Sequence, residues 1–395
     1  MYRYGKEELD LATRVIKSGS WFRYYGSEEH LNTVAGLEKK LAEYTGVEHV
    51  LATSSGTGAL ISALAALGIG PQDEVLVPAY TFVATAAAAI AVGAVPVIVE
   101  IDETLTMDAH DIKRNITPRT RVIAPVHMLG YPSNMDDIMA IAQEHDLKVL
   151  EDSAQAVGGH YKGRPLGAIG DIGAFSLQWH KIITSGEGGA VLTRSPELYE
   201  RAAIYHDDAH CFRGIDQGIP AFPGVNYRMS EIAGAIACAQ ADRLPGIITD
   251  LRAVKQKLSL ALGDIAPFRI APSHDSSGDA GWILTIQTPD RETANKYSEL
   301  TGTGSVLDTR QTNWHIYYHW DYILEKRSVS GSGFPWKVGD WESPVQYSKE
   351  MCPNTLDILQ RSFNYHLQPD WTDQQIEETA KKIRTGIEQS KPAMV

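Results

Sequence analysis

The sequence predicts an α/β domain on a mixed, mostly parallel sheet, followed by a smaller C-terminal α+β domain. Three observations carry this. Short apolar runs alternate with helical patterns between about Val50 and Thr193, runs such as VLVP and VPVIV lack polar alternation, and the texture changes after Pro245. Strands separated by helices imply parallel pairing, and strands without alternation are covered on both faces. The chain has 395 residues, enough for two units. They are placed at 1–245, with an N-terminal arm, and 246–395.

Strands are expected at His49–Ala52, Glu74–Val77, Val95–Val99, Arg121–Val126, Lys148–Glu151, Ala174–Ser176 and Ala190–Thr193. Helical patterns at Ala59–Leu67 and Met135–His145 lie between them, and Pro196–His206 follows the last. The longest apolar stretch, Phe82–Val99, is interrupted by Thr85, Gly93 and Pro96. A membrane span needs about 20 strongly apolar residues. This stretch reads instead as a buried helix (Ala84–Val92), a turn at Gly93-Ala94 and a buried strand. Ser230–Leu244 is an alanine-rich helix expected to end at Pro245. Beyond it, Asp250–Leu262, Asp290–Leu300 and Asp373–Glu388 look helical, and Gly281–Ile286 and Ser305–Leu307 suggest strands. Asp308–Lys349 is rich in Trp, Tyr, His and Gly and shows no period.

Composition narrows the function classes. With 43 % hydrophobic and 22 % charged residues the chain is of ordinary globular type. A net charge of −13 and the lack of a basic stripe argue against a nucleic-acid partner. The three cysteines, Cys211, Cys238 and Cys352, are widely spaced and fit a reduced compartment better than a disulfide framework or zinc site. Met1–Asp10 is polar and has no signal-peptide core. The expected location is the cytoplasm, with no membrane attachment.

The most informative segment runs from Phe175 to Gly189, FSLQWHKIITSGEGG. A strand ends in Phe-Ser, Lys181 follows in an irregular turn, and a glycine-rich loop leads to the next strand. A lysine that carries a cofactor needs such a fixed backbone and a neighbour able to hold phosphate, here Ser176; the alternative is an incidental loop lysine. Asp152 and Gln155 lie in EDSAQA after the run Lys148–Leu150, at a strand's C-terminal end, where α/β ligand sites form. A carboxylate there suits a pyridine nitrogen that must stay protonated, although an Asp at this place is often a helix cap. Ser55, Gly56 and Thr57, within TSSGTGAL, precede an apolar helix whose N-terminus would favour an anion. The spacing is neither a nucleotide P-loop nor a dinucleotide fingerprint. Phe82, in PAYTFVAT, is placed to stack on a flat heterocycle or to fill the core.

In this order the segments SGTGAL, PAYTFVAT, GAVPVIVEID, PVHMLGYPSNMDDI, EDSAQAVGG, GDIGAFSLQWHKIITSGEGGAV and GVNYRMSEIAGAI resemble the DegT/StrS-type (DegT/DnrJ/EryC/StrS) sugar aminotransferases. The resemblance covers nearly the whole chain. It implies a fold-type-I pyridoxal-5'-phosphate enzyme in which Lys181 forms the Schiff base. Asp152 would then pair with the pyridine nitrogen and Gln155 with the phenolic oxygen. Ser55, Gly56, Thr57 and Ser176 would hold the phosphate, and Phe82 would stack on the ring. Asn226 would reach the phosphate from the other subunit of a homodimer with shared sites. Relatives with histidine at the lysine position act as sugar dehydratases; here His180 sits one place early, which weakens that reading.

The implied reaction is ping-pong transfer of an amino group from glutamate or glutamine to a keto or aldehyde sugar, for a polysaccharide or natural product. Within the family, the segments Gly19–Gly26, Trp179-His180, Asn313–His315 and Trp371–Asp373 look like the subgroup that includes 8-amino-3,8-dideoxy-manno-octulosonate transaminase. An acidic octulosonate-type or a nucleotide-linked sugar is therefore expected. Arg23 is a candidate for a substrate carboxylate, with a surface arginine as the alternative. His127, Tyr131, His180 and His206 are candidate substrate contacts. His206, Asp207, Asp208 and His210 read as an active-site rim or a plain loop rather than a metal site. The alternatives are dehydration, isomerisation or carbon–carbon bond chemistry on the same cofactor, or a regulatory homologue without turnover.

Overall fold

A computed structural model describes residues 3–209, 212, 219–309 and 314–391. The chain enters through two helices, α1 (Lys6–Ser18) and α2 (Thr33–Thr45). The central sheet then takes β1 (His49–Thr53), β2 (Glu74–Pro78), β3 (Val95–Val99), β4 (Thr120–Ile123) and β5 (Lys148–Asp152). A small hairpin, β6 (His160–Tyr161) and β7 (Arg164–Pro165), precedes β8 (Ile172–Ser176) and β9 (Gly189–Thr193). Helices α3 (Gly56–Ala66), α4 (Ala84–Ala91), α5 (Ala109–Asn115) and α6 (Met135–Glu144) connect the strands, and α7 (Pro196–His206) follows β9.

The seven strands lie in the order β1-β9-β8-β5-β4-β2-β3. All neighbouring pairs are parallel except those made by β9, which runs against both β1 and β8. The apolar runs of β2 and β3 are buried along their whole length. Val75 and Val77 join the core shared with α3 and α4, while Leu76 joins the opposite core with Ile112 of α5 and Ile138 of α6. Two-sided burial is why these strands carry no polar alternation. Strand β4 stops three residues short of the expected Val126. Pro125 accepts from Asp152 N at 2.9 Å but has no N–H to return.

Helix α8 (Glu231–Leu262) does not end at Pro245; it runs through that residue for 32 residues. A proline inside a helix costs about 3 kcal/mol. Here Ala241, Leu244, Ile247, Ile248 and Leu251, on both sides of it, are buried in one continuous core, and that burial offsets the cost. The remaining strands and helices are β10 (Arg269–Ile270), β11 (Ile283–Gln287), α9 (Arg291–Thr301), α10 (Asp321–Leu324), β12 (Lys337–Val338), β13 (Trp341–Glu342), α11 (Pro353–Gln360), β14 (Ser362–His366) and α12 (Asp373–Ser390). Strands β10, β11 and β14 form a second, antiparallel sheet. Ser305–Leu307 is a turn, not the expected strand. Asp308 N donates to Ser305 Oγ at 3.2 Å and the hydroxyl donates to the Asp308 carboxylate at 2.8 Å, a local arrangement that competes with extended pairing. Among the described residues no helix is long and apolar enough to cross a membrane.

Candidate active site

Three strand ends lie side by side. Thr53 and Ser176 both pair with Gly189, and Asp152 pairs with Ala174. The loops leaving β1, β5 and β8 thus emerge at one edge of the sheet, beyond the carboxyl ends of parallel strands, where α/β folds place ligands.

The first of these loops builds an anion cradle. Ser55 caps α3, its Oγ accepting from Gly58 N at 2.9 Å. The hydroxyl is thereby turned into the helix, and its own proton remains available to a ligand. The amides of Gly56 and Thr57, in the first turn, have no partner within the helix, and no acidic residue occupies that turn. A Cβ on Gly56 would lie 2.7 Å from Ser176 Cβ and 2.9 Å from its Oγ. Helix start and Ser176 are therefore in contact, with no room for a side chain between them. Free amides, a hydroxyl and the helix dipole fit a phosphate.

Asp152 and Lys181 stand next to the cradle. Asp152 is buried; Oδ2 accepts from Thr85 Oγ1 at 2.7 Å and Oδ1 from Ala154 N at 3.1 Å. Burial pushes its carboxyl up from the usual value, while the Thr85 and Ala154 bonds and the Lys181 charge pull it down. A carboxylate in this state calls for a cationic partner. Lys181 lies between β8 and β9, its backbone N donating to Gln178 O at 2.9 Å. Burial lowers its ammonium below the ordinary lysine value and the Asp152 charge partly restores it. A lysine that sheds its proton readily is one that can attack an aldehyde.

The wall over this pair comes from two distant segments. Phe82 is 42 % exposed, and its ring lies 5.3 Å from that of His315, tilted by 53°. A short ladder fixes them together: Thr81 N donates to His315 O at 2.9 Å, Val83 N to Trp314 O at 2.8 Å and Tyr317 N to Ala79 O at 3.0 Å. Burial and then the Lys181 charge push the His315 imidazolium down to about 4, so it is neutral at pH 7. Its Nδ1 is buried without a hydrogen-bond partner among the described residues. Sequence reasoning did not single out His315 as a site residue. The only signal is an unusual Asn313-Trp314-His315 segment in an aperiodic stretch, and Asn313 lies outside the described residues.

Several expected substrate contacts are placed elsewhere. Arg23 is not a surface arginine, and its guanidinium is engaged within the protein. It is buried, donates to Ala52 O at 2.7 Å and pairs with Glu38, so it clasps the arm to β1. His127 is fully buried, donating from Nε2 to Glu151 at 3.0 Å while Nδ1 accepts from Ser133 N at 3.0 Å. Neither nitrogen is left for a sugar. Tyr131 is also buried, its hydroxyl accepting from Thr285 N at 3.1 Å, with Lys255 Nζ 4.1 Å above the ring. It fastens the site loop to the second sheet. His206 is enclosed, its Nδ1 donating to Ala203 O at 2.8 Å and its Nε2 3.2 Å from the Tyr24 hydroxyl. In all four the structure engages polar atoms of the side chain with protein partners instead of presenting them at the site. His180 is exposed beside Lys181, its backbone N held by Gln178 Oε1 at 2.8 Å. Asn226 is exposed too, its Oδ1 accepting from Arg228 N at 3.1 Å.

Among the described residues no cluster of His, Cys, Asp or Glu is arranged to hold a metal ion. Asp207 and Asp208 accept from Arg228 at 2.6 and 2.9 Å, and His210 lies outside the described residues.

This sheet, with the lysine, the buried carboxylate and the anion cradle at one edge, is that of the fold-type-I α/β transferases. The chain belongs to the DegT/DnrJ/EryC1/StrS aminotransferase family, which it matches over residues 3–384. It is 42 % identical to the GDP-perosamine synthase of Caulobacter vibrioides over 215 residues, covering 53 % of this chain and 57 % of that one. The match thus spans little more than half of that relative. Against the spore coat polysaccharide biosynthesis protein SpsC of Bacillus subtilis the identity is 30 % over 402 residues, covering 96 % and 94 % of the two chains. Among solved structures, 3-amino-5-hydroxybenzoic acid synthase superposes with a TM-score of 0.82 at 27 % identity, covering 98 % of both chains.

Proposed function

We propose that this protein is a pyridoxal-phosphate-dependent aminotransferase moving an amino group from glutamate or glutamine to a keto or aldehyde carbon of a sugar. The observation that carries this reading is the buried Asp152 with the half-buried Lys181 beside the anion cradle. The amine is destabilised as a cation, the carboxylate lacks a full partner, and each feels the other's charge. When bound, pyridoxal supplies an electron sink that stabilises negative charge at the carbon bearing the amine.

Each residue has a task. Gly56, Thr57 and Ser176 hold the phosphate, with the Ser55 hydroxyl as a further donor. Asp152 keeps a proton on the pyridine nitrogen, and Thr85 and Ala154 fix its carboxylate. Phe82 covers the ring face. Gln155 gives its oxygen to Leu129 N at 3.0 Å, leaving its amide donors for the phenolic oxygen. Lys181 would anchor the cofactor, and its free amine would supply a base able to carry a proton. Burial favours the neutral form of that amine, and His315, itself neutral at pH 7, adds no positive charge beside it.

The dehydratase alternative lacks its histidine, because Lys181 occupies the loop position and His180 is turned to the surface. The acidic-sugar version loses Arg23 as its carboxylate partner. The name of the perosamine relative supports a nucleotide-linked keto-sugar instead. With the cofactor bound, adding glutamate or glutamine should replace the visible absorbance by that of the amino form of the cofactor. No conversion by any amino acid would sink transamination.

All of these residues except His315 fall in the large unit, 1–245, and 246–395 forms the smaller one. Asn226, exposed beside the cradle, is assigned to the partner's phosphate in a homodimer. Sedimentation should give a dimer at working concentration, and a monomer with full activity would contradict the shared site.

A further inference from the structure

Gln155 differs from the other site residues because the second sheet grips it. Its Oε1 accepts from Leu129 N at 3.0 Å, and its backbone carbonyl accepts from Trp282 Nε1 at 2.8 Å. An amide whose oxygen is engaged has a defined orientation, with both N–H donors on the other side. Leu129 turns its own N–H to that oxygen by adopting φ 58°, and Gly130 follows at φ 86°. A left-handed pair of residues is costly unless glycine supplies one of them.

Trp282 gives a second reason for that glycine. A Cβ on Gly130 would lie 2.9 Å from the indole Nε1 and 2.9 Å from Ala280 Cβ. Ala280 N also donates to Gly130 O at 3.1 Å. Trp282 directly precedes β11, and its ring lies 5.8 Å from that of His366 in β14. The indole is therefore rooted in the antiparallel sheet and fills the gap between the loop at Leu129-Gly130 and Gln155. Both supports of the Gln155 side chain, its own backbone and the Leu129 amide, rest on this one side chain.

We propose that Trp282 is a positioning residue through which the C-terminal sheet aims the Gln155 amide donors at the phenolic oxygen of the cofactor. This rests on the pyridoxal reading above. A donor on that oxygen drains the negative charge that retains the proton on the neighbouring Lys181 Schiff-base nitrogen. Weakening it therefore raises the pH at which the proton leaves, and the colour of the bound cofactor reports that midpoint without turnover.

Trp282→Phe keeps an aromatic wedge over Gly130 and removes the N–H. The apo protein, reconstituted with pyridoxal phosphate and titrated by absorbance, should show its midpoint raised by roughly half to one pH unit, the scale of one weakened hydrogen bond to a charged group. In a Gln155→Glu background, which has no amide donor to aim, Trp282→Phe should give no further shift, because coupled residues are not additive. Equal shifts in both backgrounds, or none in the wild-type background, would overturn the proposal and reduce Trp282 to packing. Should Trp282→Phe fail to fold, Gly130→Ala displaces the same indole from the other side and must move the midpoint the same way. Wild-type protein that takes up no pyridoxal phosphate at all would instead refute the reading of the site.

Discussion

Lys181→Ala is expected to abolish the visible absorbance of protein reconstituted with pyridoxal phosphate and to lower turnover by at least about 10,000-fold, or roughly 5.5 kcal/mol of barrier. Both effects follow from one amine. On the proposed mechanism it would form the covalent link to the cofactor and, once released, serve as the base, so the variant would lose the bond and the proton carrier together. His180 cannot replace it, since it is exposed one position away and its backbone is tied to Gln178. The apo protein should show the reverse of a loss. Burial lowers the Lys181 ammonium, so its folded value lies below the unfolded one. The contribution to stability is present above the unfolded value and is lost as pH falls through the folded one. At neutral pH the wild-type apo protein carries that cost and the alanine variant does not, so the variant should melt no lower. A variant with an unchanged spectrum would exclude Lys181 as the anchor.

Much of the fold is legible because two-sided burial leaves a plain signature. The runs Val75–Pro78 and Val95–Val99 are apolar throughout since both faces meet a core. What fails is punctuation. Pro245 reads as a helix end, yet the packing of Leu244, Ile247 and Leu251 carries the helix past it. Ser305–Leu307 reads as a strand, but the Ser305–Asp308 bonds fold it into a turn. In both cases tertiary contacts or a side-chain bond outweigh the local preference.

The site divides in the same way. Gly56, Asp152, Ser176 and Lys181 are visible in the sequence because each lies at or just after the end of an identifiable strand, and the sheet order then puts those strand ends together. His315 and Trp282 arrive from segments far along the chain, and only the ladder at Thr81–Val83 and the packing on Gly130 bring them in. Burial is the other hidden quantity. Arg23, His127, Tyr131 and His206 have side chains that suit a sugar, but each has its polar atoms committed inside the protein. A one-dimensional pattern shows residue type and not whether a polar atom is spoken for.

The sharpest consequence of the geometry concerns Asp152→Asn, which should act in opposite directions on the apo and cofactor-loaded protein. An amide preserves both contacts: its oxygen accepts from Ala154 N, and its nitrogen donates to Thr85 Oγ1, whose proton turns to Phe82 O at 3.2 Å. The packing is kept and the buried charge is gone. Because burial raises the Asp152 carboxyl, its stabilising contribution is complete below the unfolded value and is lost as pH rises through the folded one. The apo variant should therefore melt higher than wild type at neutral pH, and the difference should disappear in acid below the ordinary carboxylate value. With cofactor the order reverses. Asparagine cannot hold a proton on the pyridine nitrogen, so turnover should fall by about 1,000-fold, or roughly 4 kcal/mol, and pyridoxal phosphate should raise the melting temperature less than in wild type. Equal gains from the cofactor in both proteins would mean that Asp152 does not pair with the ring, whatever the activity. A variant destabilised in both forms would instead show the carboxylate to be a structural anchor for the Thr85 loop.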